Sequence, residues 1–175
     1  AGGGEAGAHE GIAGCAAGLV EGVDSLLLEA STTVYNRAHC LQERRNLTVI
    51  TNGGEIARCF GQNPSHTVIL LGGVLRADGT SVTGPISERI LKDLHVKMAI
   101  LSASGIDLDR GLYEVDINEA QLKRNMMTAA GSVVALIDSS KFGKIDLTTF
   151  ARLDQITRLF VDDGLDRRWI AELQQ

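Results

Sequence analysis

The chain has 175 residues, 44% of them hydrophobic and 22% charged, enough for one domain with a real core and too apolar for a disordered segment. A net charge of −5 lacks the basic footprint of a part that grips DNA directly. Aromatics at 4% and two prolines argue against a base-stacking platform or a loop-rich secreted module, and no apolar run approaches the ~20 residues of a membrane-spanning helix.

The first residues, Ala1-Gly2-Gly3-Gly4-Glu5, carry neither an initiator Met nor a charged leader and read as an internal start. A helix is expected at 8–21, then a strand at 25–29 (SLLLE) and a helix at 32–44. A strand at 47–51 (LTVIT), a helix at 54–61 and a strand at 67–71 (TVILL) follow, before a polar loop at 72–84. Beyond it are a helix at 85–94, a strand at 98–101 (MAIL), a second polar loop at 105–116 and a helix at 116–131. Strands at 133–137 (VVALI) and 156–161 (ITRLFV) and a helix at 165–174 complete the chain. These strands are short and continuously apolar rather than alternating, the mark of strands covered on both faces. Their alternation with helices predicts an α/β fold: a mainly parallel sheet flanked by helices, in a single domain over 1–175.

The residues after each strand carry the functional signal. They are Ala30-Ser31-Thr32-Thr33, Asn52-Gly53-Gly54, Gly72-Gly73, Ser102-Ala103-Ser104-Gly105 and Asp138-Ser139-Ser140-Lys141. In an open parallel sheet these turns share the carboxyl edge, where ligands bind. Small and hydroxyl residues there leave backbone N–H groups open, and helix N-termini behind them favour an anion, above all a phosphate.

Each candidate has a structural alternative. Ser31, Thr32 and Thr33 offer hydroxyls and amides to a phosphate or cap the following helix. Asn52 orients a sugar hydroxyl or belongs to an Asn-Gly turn. Gly72 and Gly73 form a tight turn that brings Arg76 back to a pocket, or Arg76 is a solvated loop residue. Lys141, at a strand's carboxyl end, suits phosphate as a point charge. Glu119 and Lys123, four apart on a helix, form either a favourable i,i+4 ion pair or part of a ligand site. Asp107, Asp109 and Asp116 around Gly111 do not fit a calcium loop. His9, His39, His66 and His95 are scattered singly, so no metal site is expected, and no other cofactor is implied. Cys15, Cys40 and Cys59 match no zinc or disulfide spacing and read as reduced thiols. The turn at Ser102 and Ser104 holds hydroxyls where a sugar isomerase would need a carboxylate base, which weakens an enzyme reading.

Taken together, these residues resemble the C-terminal effector-binding domain of DeoR-family transcriptional regulators, over about 11–165. The similarity runs through Glu29-Ala30-Ser31-Thr32-Thr33, Leu47-Thr48-Val49-Ile50-Thr51-Asn52, Leu70-Leu71-Gly72-Gly73-Val74-Leu75-Arg76 and Val82-Thr83-Gly84-Pro85. It continues through Ser104-Gly105-Ile106, Arg110-Gly111-Leu112, the run from Glu119 to Met126, and Asp138-Ser139-Ser140-Lys141-Phe142-Gly143. The resemblance implies a Rossmann-like fold similar to that of ribose-5-phosphate isomerase and a phosphosugar sensor without catalysis, in a cytoplasmic homo-oligomer that commonly represses a carbohydrate operon. It also implies an N-terminal winged helix-turn-helix, absent from this chain, as the part that contacts operator DNA. The ligand contacts it carries over are Ser31, Thr32, Thr33, Asn52, Gly72, Gly73, Arg76, Ser104, Gly105, Glu119, Lys123 and Lys141. Glu29 and Ser104 depart from the family's usual Asp, the latter removing an acceptor charge. The alternative is a phosphosugar isomerase or deaminase on the same fold, with Asp107 or Glu119 as base.

Overall fold

The computed structural model describes residue 18 and residues 20–162. The helix expected at 165–174 and most of that expected at 8–21 lie outside the described residues. In chain order the strands are β1 (Ser25–Leu28), β2 (Thr48–Thr51), β3 (Thr67–Leu70), β4 (Val74–Leu75), β5 (Val82–Thr83), β6 (Val96–Leu101), β7 (Gly105–Asp107), β8 (Gly111–Glu114), β9 (Ala130–Ile137), β10 (Thr148–Ala151) and β11 (Arg158–Val161). The helices are α1 (Thr32–Ala38), α2 (Gly54–Gly61), α3 (Pro85–Leu91) and α4 (Ile117–Thr128).

Six strands form the main sheet in the order β11-β9-β6-β1-β2-β3, every neighbouring pair parallel. Successive side chains of a strand point to opposite faces, and here both faces are apolar. Leu27, Ile50, Ala99, Leu101, Val133 and Ala135 enter one buried cluster, with Leu122 and Met126 of α4. Leu26, Leu28, Val49, Met98, Ile100 and Val134 enter the other, with Val34 of α1 and Ile56 and Phe60 of α2. Leu26, Leu27 and Leu28 are each fully buried, worth about 1.5–3 kcal/mol apiece. The continuous apolar strands are therefore the central layer of a three-layer α/β fold, as expected from the sequence.

Several boundaries differ. The 32–44 helix is two pieces: α1 gives way to a 3-10 turn at His39–Glu43, and Asn46 takes a left-handed conformation (φ 61°) that lets the chain re-enter the sheet at β2. The 116–131 helix starts after its cap Asp116, which accepts from the N–H groups of Asn118 (2.7 Å) and Glu119 (3.0 Å), and β9 already begins at Ala130. Neither expected polar loop is featureless. The 72–84 segment carries the β4–β5 ribbon, and 105–116 carries the β7–β8 hairpin, which β10 joins in a second, antiparallel sheet. Gly111 turns that hairpin at φ 108°, where a Cβ would overlap the Ala151 carbonyl oxygen.

The thiol expectation fails at Cys40, which is disulfide-bonded, whereas half-buried Cys59 is free. Sequence spacing does not show which sulfurs meet in space. Among the described residues, no helix is long and apolar enough to cross a membrane.

Candidate functional site

The strand order reverses direction between β1 and β6, so the connections leaving their carboxyl ends run to opposite sides and leave a crevice just beyond the strands, the usual ligand position in a doubly wound sheet. Glu29 follows β1 and Ser102 follows β6. The Glu29 N–H donates to the Ile100 carbonyl (3.1 Å), holding the two strand ends together. Glu29 Oε1 in turn accepts from the Ser102 N–H (3.2 Å) and hydroxyl (2.9 Å).

Lys123 of α4 reaches this crevice from the second face. Its Nζ donates to the Ser102 carbonyl (2.7 Å) and to Glu114 Oε2, lies 4.0 Å from Glu29 Oε2, and sits 5.0 Å above the Phe150 ring centroid. Lys123 is 2% exposed, Glu29 5%, Glu114 7% and Ser102 8%. Two carboxylates and one ammonium are thus held out of water, a cost that mutual attraction and hydrogen bonds must offset. Of the two readings of Glu119 and Lys123, the i,i+4 pair is not formed: Lys123 pairs with Glu114 and Glu29, while Glu119 pairs with Arg76. Helical spacing makes 119 and 123 neighbours, but Lys123 points into the crevice and Glu119 lies beside the β4–β5 ribbon.

Above this buried cluster opens a cavity of about 680 Å³. Of the sequence-expected residues, Ser31, Thr32, Thr33, Arg76, Ser104, Glu119, Lys123 and Lys141 line it. Ser31 also caps α1, its Oγ accepting from the Val34 N–H at 3.1 Å. Lys141 closes a 3-10 turn (Ser139–Lys141) capped by Asp138. The Ser140 N–H holds the Asp138 carboxyl below the ordinary carboxylate range, against desolvation, and Lys141 adds to the effect. Ser104 donates its hydroxyl proton to Asp146 Oδ2 (2.6 Å), so a carboxylate stands behind the serine that replaces the family's usual Asp.

The other four expected residues form the supports of the cavity. Asn52 is buried, its Oδ1 accepting from the Ala30 N–H and its Nδ2 donating to the Val82 carbonyl, both at 3.0 Å. It thereby ties the turn after β1 to the β4–β5 ribbon. The Gly72 carbonyl accepts from the Ser87 hydroxyl of α3, and a Cβ on Gly73 would collide with that hydroxyl. Gly105 opens β7 against the Lys144 carbonyl, again with no room for a Cβ.

The lining also holds residues that sequence reasoning did not select: Ser102, Glu114, Arg58, Thr80 and Ser81, with Glu29 noted only as a departure. Ser102 and Glu29 stood in the turns after their strands, so position was the available signal. Nothing local marks Glu114, which acts through a fold contact with Lys123. The lining includes the carboxylates Glu29, Glu55, Asp78, Glu114 and Glu119 and the cations Arg58, Arg76, Lys123 and Lys141. Among the described residues, Arg58 and Lys141 enter no ion pair, so they are the cations open to an incoming anion.

Of the two bases of the enzymatic alternative, Glu119 lines the cavity, paired with Arg76, whereas Asp107 lies in the β7–β8 hairpin and does not line it. Desolvation raises its pKa, but bonds from the Arg110 N–H (2.7 Å), the Tyr113 hydroxyl (3.0 Å) and the Gly111 N–H leave it below the ordinary carboxylate range. A carboxylate so held is a poor base.

Residues 5–163 match the family model described as the DeoR C terminal sensor domain. The chain is 34% identical over 167 residues to the uncharacterized HTH-type transcriptional regulator YulB of Bacillus subtilis, covering 95% of this chain and 62% of that protein. It is 34% identical over 155 residues to the transcriptional repressor AccR of Agrobacterium fabrum, covering 87% and 60%. The chain thus spans about three fifths of the length of these relatives. Among solved structures it is similar to the tetrameric eIF2B-beta2-delta2 complex from C. thermophilum, with a TM-score of 0.57 and 17% identity, over 87% of this chain and 53% of that one. At that identity the likeness concerns the fold alone.

Proposed function

The chain belongs to the DeoR C-terminal sensor domain family, and from that premise we propose that its crevice binds a phosphorylated sugar whose arrival alters DNA binding by a separate N-terminal domain. A sensor domain of this kind is a regulatory part and not an enzyme. The observation that carries the ligand reading is the composition of the crevice wall. Hydroxyls of Thr32 and Thr33 and the cations Arg58 and Lys141 share one cavity with buried, hydrogen-bonded carboxylates. The first set suits a phosphate, which takes charge-assisted hydrogen bonds from cations and N–H or O–H donors. The second suits sugar hydroxyls, which need acceptors that are already fixed in place. Ser104, its proton committed to Asp146, presents lone pairs to the same ligand.

The full-length protein would act in the cytoplasm as a homo-oligomeric regulator of a carbohydrate operon, with operator contacts made outside this acidic chain. Binding shifts such a regulator only if ligand-free and ligand-bound arrangements differ in ligand affinity. The β4–β5 ribbon is the suited moving part, because it joins the cavity wall through Asn52 and Arg76. Thermal unfolding across a panel of sugar phosphates tests the reading: a ligand at a hundred times its Kd stabilises by about 2.7 kcal/mol. At least one sugar phosphate is expected to raise the midpoint of the native chain, with a clearly smaller rise for Thr32→Ala and Lys141→Ala. Equal rises in all three proteins would place the anion elsewhere.

A further inference from the structure

Among the described residues nine large hydrophobic side chains are exposed, and eight of them lie on the side of the main sheet that carries α3, α4 and β10. Val74 and Leu75 form β4, and Val115 and Ile117 flank Asp116, the cap of α4. Ile86 and Ile90 point outward from α3, one turn apart, while Ser87 and Leu91 of the same helix are buried. The remaining two precede β10, whose Thr148 pairs with Glu114 next to Val115. β4 pairs with β5, and β5 packs against both α3 and α4, so these elements form one surface. The ninth, Leu70, belongs to the other side: Val68, two residues before it in β3, packs in the cluster with α1 and α2.

We propose that this face is the contact between two copies of the chain, related by a two-fold axis. With 37–70% of each residue exposed, the eight together offer on the order of 800 Å², above the roughly 300–600 Å² of the largest patch on an ordinary monomer and close to the ~800 Å² that each partner gives to a stable interface. The proposal gives the homo-oligomer of the preceding section its surface and does not depend on the ligand.

The charges around the patch favour a second copy over other partners. Glu88 and Arg89 lie between Ile86 and Ile90 on α3 and, among the described residues, enter no ion pair. In a two-fold contact the same patch meets itself, so apolar residues meet apolar residues and the Glu88 of one copy is available to the Arg89 of the other. A nucleic acid or an anionic membrane has no such match here. Lys92 and Asp93 at the end of α3 balance each other as Glu88 and Arg89 do, and the chain carries a net charge of −5. Val20 packs on the side of α1 and α2, and β11 is the edge of the sheet opposite β3, so neither end of the described residues runs onto this face.

Sedimentation of the chain between about 1 and 100 µM reads the contact, because interfaces of this size associate at such concentrations or below them. The native chain is expected to reach at least twice its 18.6 kDa as concentration rises. Leu75→Glu and Ile86→Glu each place a carboxylate on both sides of the two-fold axis and should weaken association at least about tenfold. Leu70→Glu, at the same 53% exposure as Ile86 but on the other side of the sheet, should leave association unchanged. Urea midpoints at the lowest concentration should agree among the three variants and the native chain, so that lost association is not lost folding. A native chain that stays monomeric throughout overturns the proposal, whether the face is bare or covered by another stretch of the same chain. Association that survives Leu75→Glu and Ile86→Glu, or that falls equally with Leu70→Glu, overturns this face as the contact while leaving a homo-oligomer in place. Neither result bears on the phosphosugar site, whose thermal-shift test is independent of this one.

Discussion

Lys123→Met is the most demanding perturbation of the crevice, because it removes a buried ammonium while keeping nearly the same length of chain. In the native protein that ammonium is bonded to Glu114 and to the Ser102 carbonyl and lies 4.0 Å from Glu29. At that separation and an effective dielectric near 20, one such pair attracts by about 4 kcal/mol before desolvation is subtracted. Breaking a buried pair by removing one partner costs about 3–5 kcal/mol, since the remaining carboxylates are left without compensation. For a domain of 175 residues each kcal/mol lowers the midpoint by about 2–4 °C, so a loss on the order of 10 °C is expected. Urea unfolding should show the midpoint falling at an unchanged slope, the signature of lost stability rather than altered compactness. Adding Glu114→Gln to Lys123→Met should recover part of the loss, because one orphaned charge disappears and Glu29 keeps its two bonds from Ser102. A cost below about 1 kcal/mol, or no recovery in the double variant, would refute the view that Lys123 compensates buried carboxylates.

Asn52→Ala should cost about 1–3 kcal/mol, because the Ala30 N–H and the Val82 carbonyl both lose their side-chain partner. Hydrogen exchange at Ala30 should accelerate, and a protected Ala30 amide in the variant would show that Asn52 does not hold this turn. Asp138→Asn should be pH-selective. The folded-state pKa of Asp138 is depressed, so its contribution is present above the unfolded value of 3.8 and is lost as pH falls through the lower folded value. The stability gap between native and variant proteins should therefore be open at neutral pH and closed in acid, and a constant gap would contradict the linkage.

The sheet was the legible part of this chain. Runs such as LTVIT and VVALI could be read because a strand covered on both faces needs no polar residue along its length. The caps on the cavity were hidden for the opposite reason. β4, β5 and β7 are two or three residues long and lie among Gly, Asp and Ser, so turn chemistry outweighed any alternation. The same contrast holds within the crevice. Turns at strand ends announced Ser31, Thr32, Thr33 and Lys141, because the fold class brings every such turn to one edge. The partners of Lys123 were out of reach, since Glu29 and Glu114 lie 94 and 9 positions away along the chain and meet it only through the packing of α4 on the sheet. The role of Asn52 as a brace, and the Asp146 carboxylate behind Ser104, likewise depend on contacts between distant segments.

Ligand-observed proton NMR of the chain with sugar phosphates and their unphosphorylated parents tests the central claim most directly, because binding and chemical conversion are read in one tube. Saturation transfer to at least one sugar phosphate, none to its parent, and no interconversion of aldose and ketose forms is the result expected of a phosphosugar sensor. Equal transfer to phosphorylated and parent sugars, or turnover of any of them, would contradict it.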